Sequence, residues 1–335
     1  MTEIIQYAPV YIPTLNRYEH FKRCLDSLER CTGANKTDVY VGLDYPPSEK
    51  YVEGWKKIDA YLVEKEKSNG FRNLFVRRRD HNCGIGKPGS NGSLLLEEIK
   101  KVSDRYIASE DDNEFSPNFL EYINWGLELF KDDQSIYAIC GFKRVKVDFL
   151  QNNVYKYPRY NAWGIGTWFD RREKYKKISN LRVLKEQFLD QYPLSILFSK
   201  KVLYPASIIS MLAENSIYGD AIIKFLPEDE QFCVFPKESM VRNWGQDGLG
   251  LHGGTKKASQ YYSNLPIDIS TSFQPIIKDE LYQPQLETVY HATYPISSKQ
   301  RIRAIISFLT YKITGRVLYH KYKDPWYKVT LKKVR

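Results

Sequence analysis

Short apolar runs alternate with longer amphipathic segments through the first 130 residues of the chain. One amphipathic segment carries Phe21, Leu25 and Leu28 at the spacing of a helix face. The alternation of strand-like runs and helical segments predicts an α/β fold, a parallel sheet with helices on both faces. The predicted strands are Tyr7 to Ile12, Asp38 to Leu43, Asn73 to Arg77 and a fourth that ends at Ala108.

The pattern changes after Lys131. Further strands are predicted at Ser135 to Gly141 and near Phe232 to Phe235, separated by a mostly helical region from about Arg171 to Leu226. Scattered prolines predict an extended arm over residues 256–297. The last segment, residues 298–335, predicts a basic amphipathic helical tail whose apolar stripe is Ile302, Ile305, Ile306, Leu309, Ile313 and Val317.

Three adjacent carboxylates, Glu110, Asp111 and Asp112, directly follow the fourth predicted strand. Ligands of α/β sheets bind outside the carboxyl ends of the strands. A divalent cation such as Mg²⁺ or Mn²⁺ would relieve the repulsion between these side chains. The alternative is a solvated acidic turn before a helix that starts with Ser116 as its N-cap and Pro117 at its first position.

A glycine-rich loop follows the third predicted strand. Gly84-Ile-Gly-Lys-Pro-Gly89 matches Gly-x-Gly-x-x-Gly, a weak dinucleotide signature that normally follows the first strand. A loop that touches phosphate or sugar through Gly86 and Lys87 fits this position better. A plain flexible loop is equally compatible with the sequence.

Later segments offer a candidate base, a histidine and aromatic side chains. Asp220 comes just before an apolar helical face. It could serve as the N-cap of that helix or as a general base. His252 ends a glycine-rich segment of the kind that often lines sites, although a lone loop histidine is commonly structural. Trp163 and Trp168 flank Gly164, which favours a shaped, sugar-binding loop, with burial in the core as the alternative.

Composition and charge narrow the function classes. The five cysteines are scattered without a Cys-x-x-Cys motif, which argues against a zinc or disulfide framework and fits a reducing cytoplasm. Met1 to Tyr11 has no feature that predicts a signal peptide. No apolar run in the sequence is long enough to predict a membrane span. From His291 onward eleven basic residues face one acid, Asp324, so this segment carries the net charge of +10. A neutral body argues against nucleic-acid binding.

Taken together, the motifs resemble those of GT-A-fold glycosyltransferases, in particular the inverting N-acetylglucosaminyltransferase of N-glycan processing and bacterial family 2-like enzymes of polysaccharide and lipopolysaccharide synthesis. The likeness covers residues 5–255 approximately. It is most specific at the metal motif and the helix after it. The matching segments are Pro13-Thr-Leu-Asn-Arg-Tyr18 with Arg23-Cys-Leu-Asp-Ser-Leu28, Val39-Tyr-Val-Gly-Leu-Asp44, Ser109-Glu-Asp-Asp-Asn-Glu-Phe-Ser-Pro-Asn-Phe-Leu-Glu-Tyr122, Trp163-Gly-Ile-Gly-Thr-Trp168 and Phe232 through His252.

The resemblance implies a metal-dependent, inverting hexosyltransferase with a GT-A-type Rossmann-like mixed sheet. Residues 1–255 would form the catalytic domain, with a nucleotide-binding half (1–130) and an acceptor half (131–255). Asp220 would be the catalytic base, and Asp112 with His252 would hold Mn²⁺ or Mg²⁺. Acceptor contacts would come from Trp163, Gly164 and Trp168. Donor contacts would come from Pro13, Thr14, Asn16, Arg17, Asp44, Gly86, Lys87, Glu110 and Asp111.

The donor would be a nucleotide sugar, with a UDP-sugar favoured, and the acceptor a saccharide or lipid-linked saccharide. The alternative function is a non-catalytic nucleotide-sugar or carbohydrate-binding protein of the same fold. A nucleotidyltransferase ranks lower because no glycine-rich loop follows the first strand. The tail predicts an interfacial helix on anionic lipid, which would make the protein cytoplasmic and peripheral on the inner membrane face. The alternative is a helix packed on the domain.

Overall fold

The structure is a computed structural model. Its secondary structure is largely that of an α/β domain, followed by a helix and a strand pair near the carboxyl end of the chain. It describes residues 7–143, 147–157, 160–178, 181–198, 209, 211–213, 231–249, 256–278, 281, 297–319 and 330–333.

The helices and strands within these ranges follow one another in the order that the sequence predicts for the first 130 residues. The helices are α1 (Tyr18–Glu29), α2 (Val52–Lys67), α3 (Asn91–Ile99), α4 (Phe119–Leu129), α5 (Phe169–Ile178), α6 (Leu181–Gln191), α7 (Lys256–Ser263) and α8 (Ser298–Thr314). The strands are β1 (Val10–Thr14), β2 (Asp38–Leu43), β3 (Asn73–Arg78), β4 (Arg105–Ala108), β5 (Asn113–Phe115), β6 (Ile136–Cys140), β7 (Val154–Tyr157), β8 (Ile165–Trp168), β9 (Phe232–Pro236), β10 (Val241–Asn243), β11 (Arg316–Tyr319) and β12 (Thr330–Lys333).

The main sheet of the described residues has eight strands in the order β3-β2-β1-β4-β8-β6-β9-β7. Strands β3, β2, β1 and β4 are parallel, β8 runs antiparallel to β4 and β6, and β7 runs antiparallel to β9. Smaller pairs join β5 to β10 and β11 to β12, both antiparallel. The predicted α/β class is therefore confirmed, and the mixed sheet with flanking helices is consistent with a GT-A Rossmann-like fold.

Alternation of side chains along the strands builds a layer of helices on each face of the sheet. Val39 and Val41 of β2 join the core that contains Phe21 of α1 and Ile58 of α2. Tyr40, between them, points to the opposite face and joins a second cluster with α3. Because successive strand residues point to opposite faces, both sides of β2 are buried, which explains its unbroken apolar run.

Strand β1 extends two residues beyond the predicted end, through Pro13. The carbonyls of Pro9 and Tyr11 accept hydrogen bonds from the N–H groups of Ile107, in β4, and Ser109, just after it. The backbone of Pro13, two residues further along, therefore points toward the same side. The pairing of β1 with β4 ends at Tyr11, where it meets Ala108. The N–H that proline lacks would therefore have no partner in β4, and the strand passes through it.

Two other local predictions differ from the structure. Helix α4 begins at Phe119 with Asn118 at its N-cap, not at Ser116, whose hydroxyl donates to Asn118 Oδ1 over 2.6 Å. The segment Tyr155 to Trp168 holds strands β7 and β8 instead of a single exposed loop.

The residues after 255 differ in part from the extended arm and tail. Residues 256–263 are helical, whereas residues 264–278 have no regular secondary structure and lie against the body, with Phe273 packed on Tyr122 and Trp125. Helix α8 ends at Gly315, whose φ of +61° suits a left-handed cap. Val317 then lies buried in β11, so it is not part of the helical stripe.

Candidate active site

A cavity of about 970 Å³ opens at the carboxyl ends of β1 and β4. The predicted acidic cluster and the glycine-rich loop both line it. The other walls come from the loop before β8, the loop after β10 and the helices α3 and α5. Its lining includes Tyr11, Pro13, Arg17, Gly86, Lys87, Gly92, Glu110, Asp111, Asp112, Trp163, Arg172, Asn243 and Gly245. This is the position that the α/β topology predicts for a ligand site.

The segment after β4 is held between β1 and a partner from far along the chain. The N–H of Ser109 donates to the Tyr11 carbonyl over 3.1 Å, which continues the ladder to the cavity edge. Strand β5 then pairs with β10, and this register places Asn243 opposite Asn113. The acidic cluster therefore lies in the turn between two paired segments, which fixes its backbone.

Asp112 is buried and its carboxylate oxygens have partners. Asn243 Nδ2 donates to Oδ1 over 2.6 Å, and Arg17 Nη2 lies 2.8 Å from Oδ2. The carbonyl of Asp112 accepts the N–H of Trp244 over 2.8 Å. A Cβ added at Gly245 would lie 2.0 Å from Asp112 Oδ2, so only glycine allows the chain this close to the carboxylate.

Asp111 is also buried, on the side of the cluster that faces β1. The Thr14 hydroxyl donates to Asp111 Oδ2 over 3.0 Å, and Arg17 forms a short ion pair with Oδ1. Burial raises the pKa of Asp111 above its usual value even though Arg17 stands beside it and opposes this shift. Together, Asp111 and Asp112 raise the pKa of Arg17 by more than burial lowers it, so the guanidinium stays charged.

Negative charge exceeds positive charge in this cluster. Among the described residues, Arg17 is the basic side chain that forms ion pairs with it, against three carboxylates. Glu110 is exposed at the cavity mouth. The surrounding protein partly shields the carboxyl group from water and raises the pKa of Glu110 to about 7; the charges of Asp112 and Asp111 add to this effect, and Arg17 opposes it. The cluster is therefore a place where a further cation would be stabilised.

The donor set fits Mg²⁺ or Mn²⁺ in a particular way. Carboxylate oxygens are the ligands that these hard cations take, and Mg²⁺ is usually held by one or two carboxylates together with water and substrate phosphates. Across the described ranges, no three His, Cys, Asp or Glu side chains are arranged to hold an ion by themselves. Asp112, together with Glu110 or Asp111, would thus supply some of the ligands of the cation, and a bound phosphate would supply others.

Asp44, at the end of β2, does not line the cavity. Its Oδ1 accepts the N–H groups of Tyr45 (3.0 Å) and Cys83 (2.8 Å), and its Oδ2 accepts the N–H of Gly84 (2.9 Å). Both oxygens are turned toward the loop backbone, and direct contact of Asp44 with the donor stays a prediction. Asp44 anchors the start of the glycine-rich loop.

The anchored loop brings backbone and charge to the cavity. Gly84, Gly86 and Gly89 have φ values of +69°, +70° and +76°, which the chain adopts easily only at glycine. Gly86 and Lys87 line the same cavity as the acidic cluster, and Arg172 of α5 lines it as well. Lys87 and Arg172 give this cavity positive charge of the kind that a diphosphate requires, whereas the charge of Arg17 is paired with Asp111 and Asp112.

The predicted aromatic residues divide between the cavity and the core. Trp163 lines the cavity and packs edge-on against Phe142 and Tyr262. Trp168 is buried in β8 under the guanidinium of Arg171, 3.7 Å from the ring centroid, so it is not available to an acceptor.

Gly164 is buried as well, and a Cβ there would lie 2.8 Å from Val241. Gly164 is thus closely packed against Val241, and its contact with an acceptor stays a prediction. Asn16 does not line the cavity either: its carbonyl accepts the N–H of Tyr18 and lies against Gly54. Asp220 and His252 lie outside the described residues.

Sequence reasoning missed Asn243, Gly245 and Arg172 as individual site residues. The segment containing the first two was noted as a motif, but nothing local predicts their contact with Asp112, 131 residues away from Asn243. Arg172 sits in a charged helical segment without a distinguishing pattern. Its place at the cavity depends on how α5 follows β8.

Comparisons with known proteins do not show to which family this chain belongs. No protein-family model and no curated protein matches the chain. Among solved structures, TarS residues 1–349 from S. aureus is 16% identical over 48% of this chain and 47% of that one, with a TM-score of 0.31. The mannosyltransferase PcManGT from Pyrobaculum calidifontis, in complex with GDP-Man and Mn²⁺, is 15% identical over 52% and 46%, also with a TM-score of 0.31. The chain spans about half the length of these structures.

Proposed function

We propose that this chain is a metal-dependent, inverting glycosyltransferase that moves a sugar from a nucleotide-sugar donor to a saccharide or lipid-linked saccharide acceptor. The observation that carries the proposal is the excess of negative charge at the end of β4, in a cavity that the basic side chains of Lys87 and Arg172 also line. A nucleoside diphosphate with a divalent cation complements both kinds of charge. We favour a UDP-sugar as donor and Mn²⁺ or Mg²⁺ as cofactor.

The residues that would hold the cation are Asp112 and, through water or the donor, Glu110 and Asp111. Bound there, the cation would act as a Lewis acid that neutralises the charge of the departing nucleoside diphosphate. His252 is proposed to lie near it. Arg17 keeps its positive charge between Asp111 and Asp112 and orients both carboxylates, so the cluster is preorganised for the ion.

The basic side chains of the cavity would bind the donor. Lys87 and Arg172 line the cavity, where they would contact phosphate oxygens of the diphosphate. The glycine-rich loop exposes backbone at Gly86, and Asp44 holds the start of that loop in place. Pro13 lines the cavity, and the Thr14 hydroxyl donates to Asp111, so both would position or contact the donor beside the acidic cluster.

The acceptor would enter beside Trp163, whose partly exposed ring suits the apolar face of a sugar. We propose Asp220 as the base that takes the proton of the attacking hydroxyl, an assistance typically worth about 10²–10⁴-fold in rate. Attack from the face opposite the leaving group inverts the anomeric centre. In this scheme residues 1–130 supply the donor site and residues 131–255 the acceptor side.

A ligand-stability measurement tests the donor site. Thermal unfolding of the full chain is followed with UDP, GDP, dTDP and CMP, each with Mn²⁺ and with EDTA. A ligand that binds only the folded state stabilises it by about 2.7 kcal/mol at a hundredfold excess over its dissociation constant. We expect one nucleoside diphosphate to raise the Tm with Mn²⁺ only, and Asp112→Asn to abolish that rise.

Asp132→Asn, an exposed carboxylate remote in the chain from the cluster, is the matched control and should respond like the wild type. No response to any nucleotide would overturn the proposal. A donor that binds but is never hydrolysed or transferred, with Asp220→Ala unchanged in every assay, would favour a binding protein instead. Product stereochemistry by NMR decides inversion, because a retained anomeric configuration excludes Asp220 as a simple base.

A further inference from the structure

Helix α8 has two apolar faces on opposite sides. Ala304, Phe308 and Tyr311 pack on a cluster that includes Leu184 and Phe188 of α6. Arg301 fastens the start of the helix to the Leu197 carbonyl, and the Tyr311 hydroxyl donates to Asp190 over 2.7 Å. The helix is therefore held on the body of the protein, as the packed-helix alternative predicts.

The opposite face carries a second apolar stripe that the body does not cover. Ile302, Ile306, Leu309 and Ile313 are 57%, 52%, 42% and 81% exposed. Their spacing of four, three and four residues places them within one narrow arc of the helix surface. Ile305, which the sequence assigned to the same stripe, is instead partly buried against the α6 cluster.

Basic residues flank this exposed stripe on both sides. Helical geometry places Lys299 and Arg303 along one flank and Lys312 along the other, and the helix has no acidic residue. Arg301 lies on the side of Lys312 but is held by the Leu197 carbonyl. A capping box of Ser297 and Gln300 fixes the first turn. An apolar stripe with lysine and arginine at its edges is the pattern of a helix that lies in a lipid–water interface.

We propose that the stripe of Ile302, Ile306, Leu309 and Ile313 docks the protein on an anionic lipid surface, with α8 parallel to the membrane plane. The charge pattern selects this occupant, because the basic flanks complement lipid phosphates. A second copy of the helix would bring like charges together along the stripe. No described helix is long and apolar enough to cross a membrane.

Docking through the exposed stripe would place the proposed sugar transfer at a membrane surface. The docking proposal does not depend on that function. The α6 cluster that supports α8 shares no described residue with the cavity lining. Vesicle binding and donor binding can therefore fail separately. A protein that binds nucleotides but not vesicles would refute only the docking surface.

Vesicle flotation of the full chain tests the docking surface. Phosphatidylcholine vesicles are compared with vesicles that contain about one third phosphatidylglycerol, at low and physiological ionic strength. We expect binding to the anionic vesicles, weakened by salt. Ile306→Gln with Ile313→Gln should lower partitioning by about tenfold or more, since glutamine keeps the helix but removes the apolar contact.

Two further variants separate the apolar and electrostatic contributions. Lys299→Gln with Lys312→Gln should lower partitioning by about 25-fold, near fivefold for each basic residue close to an anionic surface. Val63→Gln with Leu129→Gln removes exposed apolar side chains from α2 and α4 and should leave binding unchanged. Circular dichroism and Tm are measured on all variants to confirm that each remains folded.

Three results would overturn the docking surface. One is absence of flotation with anionic vesicles at low ionic strength. Another is equal flotation of the Ile306→Gln, Ile313→Gln variant, which would place binding in the remaining basic residues. The third is self-association in analytical ultracentrifugation that this variant abolishes while vesicles leave the wild type unbound, which would assign the stripe to a second copy.

Discussion

The ends of β2 and β4 both carry buried acidic side chains, and the partners of those side chains differ. At the end of β2, Asp44 accepts three backbone N–H groups, all from neutral donors. At the end of β4, Asp111 and Asp112 share one guanidinium, that of Arg17, in a cluster whose third carboxyl group, Glu110, has its pKa raised to about 7. One carboxylate is satisfied by the fold, whereas the cluster keeps a charge that the fold does not balance.

This difference separates a structural from a functional role at the same edge of the sheet. A carboxylate whose lone pairs are filled by backbone donors orders a loop and has little capacity left for a ligand. Carboxylates in excess of their counter-charge cost stability when buried, and a cation lowers that cost. Position at a strand end thus identifies both, but only their partners distinguish the anchor from the candidate metal site.

Removal of the guanidinium at the end of β4 should have the largest effect. We expect Arg17→Met to lower the free energy of unfolding by about 3–5 kcal/mol at pH 7 in EDTA, because it leaves two buried carboxylates unpaired. Added Mn²⁺ should restore part of the loss. Denaturant titration measures the loss, and the control is Lys57→Met in the exposed pair with Glu53, which should lose far less because solvent screens that pair. Equal losses would mean that the cluster is solvated.

Crowding of Asp112 gives the next largest expected effect. In Gly245→Ala the new methyl group would lie 2.0 Å from Asp112 Oδ2, so the carboxylate or the chain must move. We expect a loss of about 1–3 kcal/mol in stability, as for other overpacked sites, and at least tenfold weaker Mn²⁺-dependent nucleotide binding. Isothermal titration calorimetry measures the binding.

The matched control is Gly92→Ala in α3, another glycine of the cavity lining. Its added Cβ would have ordinary contacts of 3.5 Å or more with Tyr11 and Pro13. This variant should bind nucleotide like the wild type and gain slightly in stability, because alanine favours the helix. If both variants bind equally well, Asp112 does not hold the cation.

At the end of β2, Asp44→Asn should have a smaller effect. An amide NH₂ replaces one acceptor oxygen, so a backbone N–H of Cys83 or Gly84 loses its partner, at a cost of about 1–2 kcal/mol. Hydrogen exchange should accelerate at those two amides. Asp80→Asn, whose carboxylate is almost fully exposed, is the control. Unchanged exchange at Cys83 and Gly84 would show that the loop does not rely on Asp44.

Local patterns predicted the strand ends well and their partners poorly. The apolar run Asp38–Leu43 gave β2 with its observed bounds, because both faces of this strand are buried. The position of the acidic cluster followed from parallel topology. The contact of Asn243 with Asp112 was not predictable, since it depends on pairing of β5 with β10 across more than 120 residues.

The aromatic and tail predictions show the same limit. Trp168 occupies a four-residue strand between β4 and β6, and neither neighbour is adjacent in sequence, so its burial has no local signal. In α8 the spacing of apolar residues was correct, but spacing does not say which of two apolar faces the body covers. The structure assigns Phe308 to the covered face and Ile306 to the exposed one.

Another carboxylate, Asp26 of α1, is expected to show the smallest effect, because it is only partly buried and its ionic partners are two lysines near the surface. Partial burial tends to raise its pKa, but hydrogen bonds from Lys22, Tyr61 and Lys65 outweigh this and lower the pKa of Asp26 to about 2. A carboxyl whose pKa is lower in the folded state contributes stability above its unfolded pKa of about 3.9 and loses it as the pH falls toward 2. Solvent screening limits the contribution to about 1 kcal/mol.

Denaturant titrations of wild type and Asp26→Asn should therefore give free energies of unfolding that differ by about that amount at pH 6 and converge between about pH 4 and pH 2. A difference that persists unchanged at pH 2 would mean that Asp26 acts through shape instead of charge, and that ionic partners do not set it apart from Asp44.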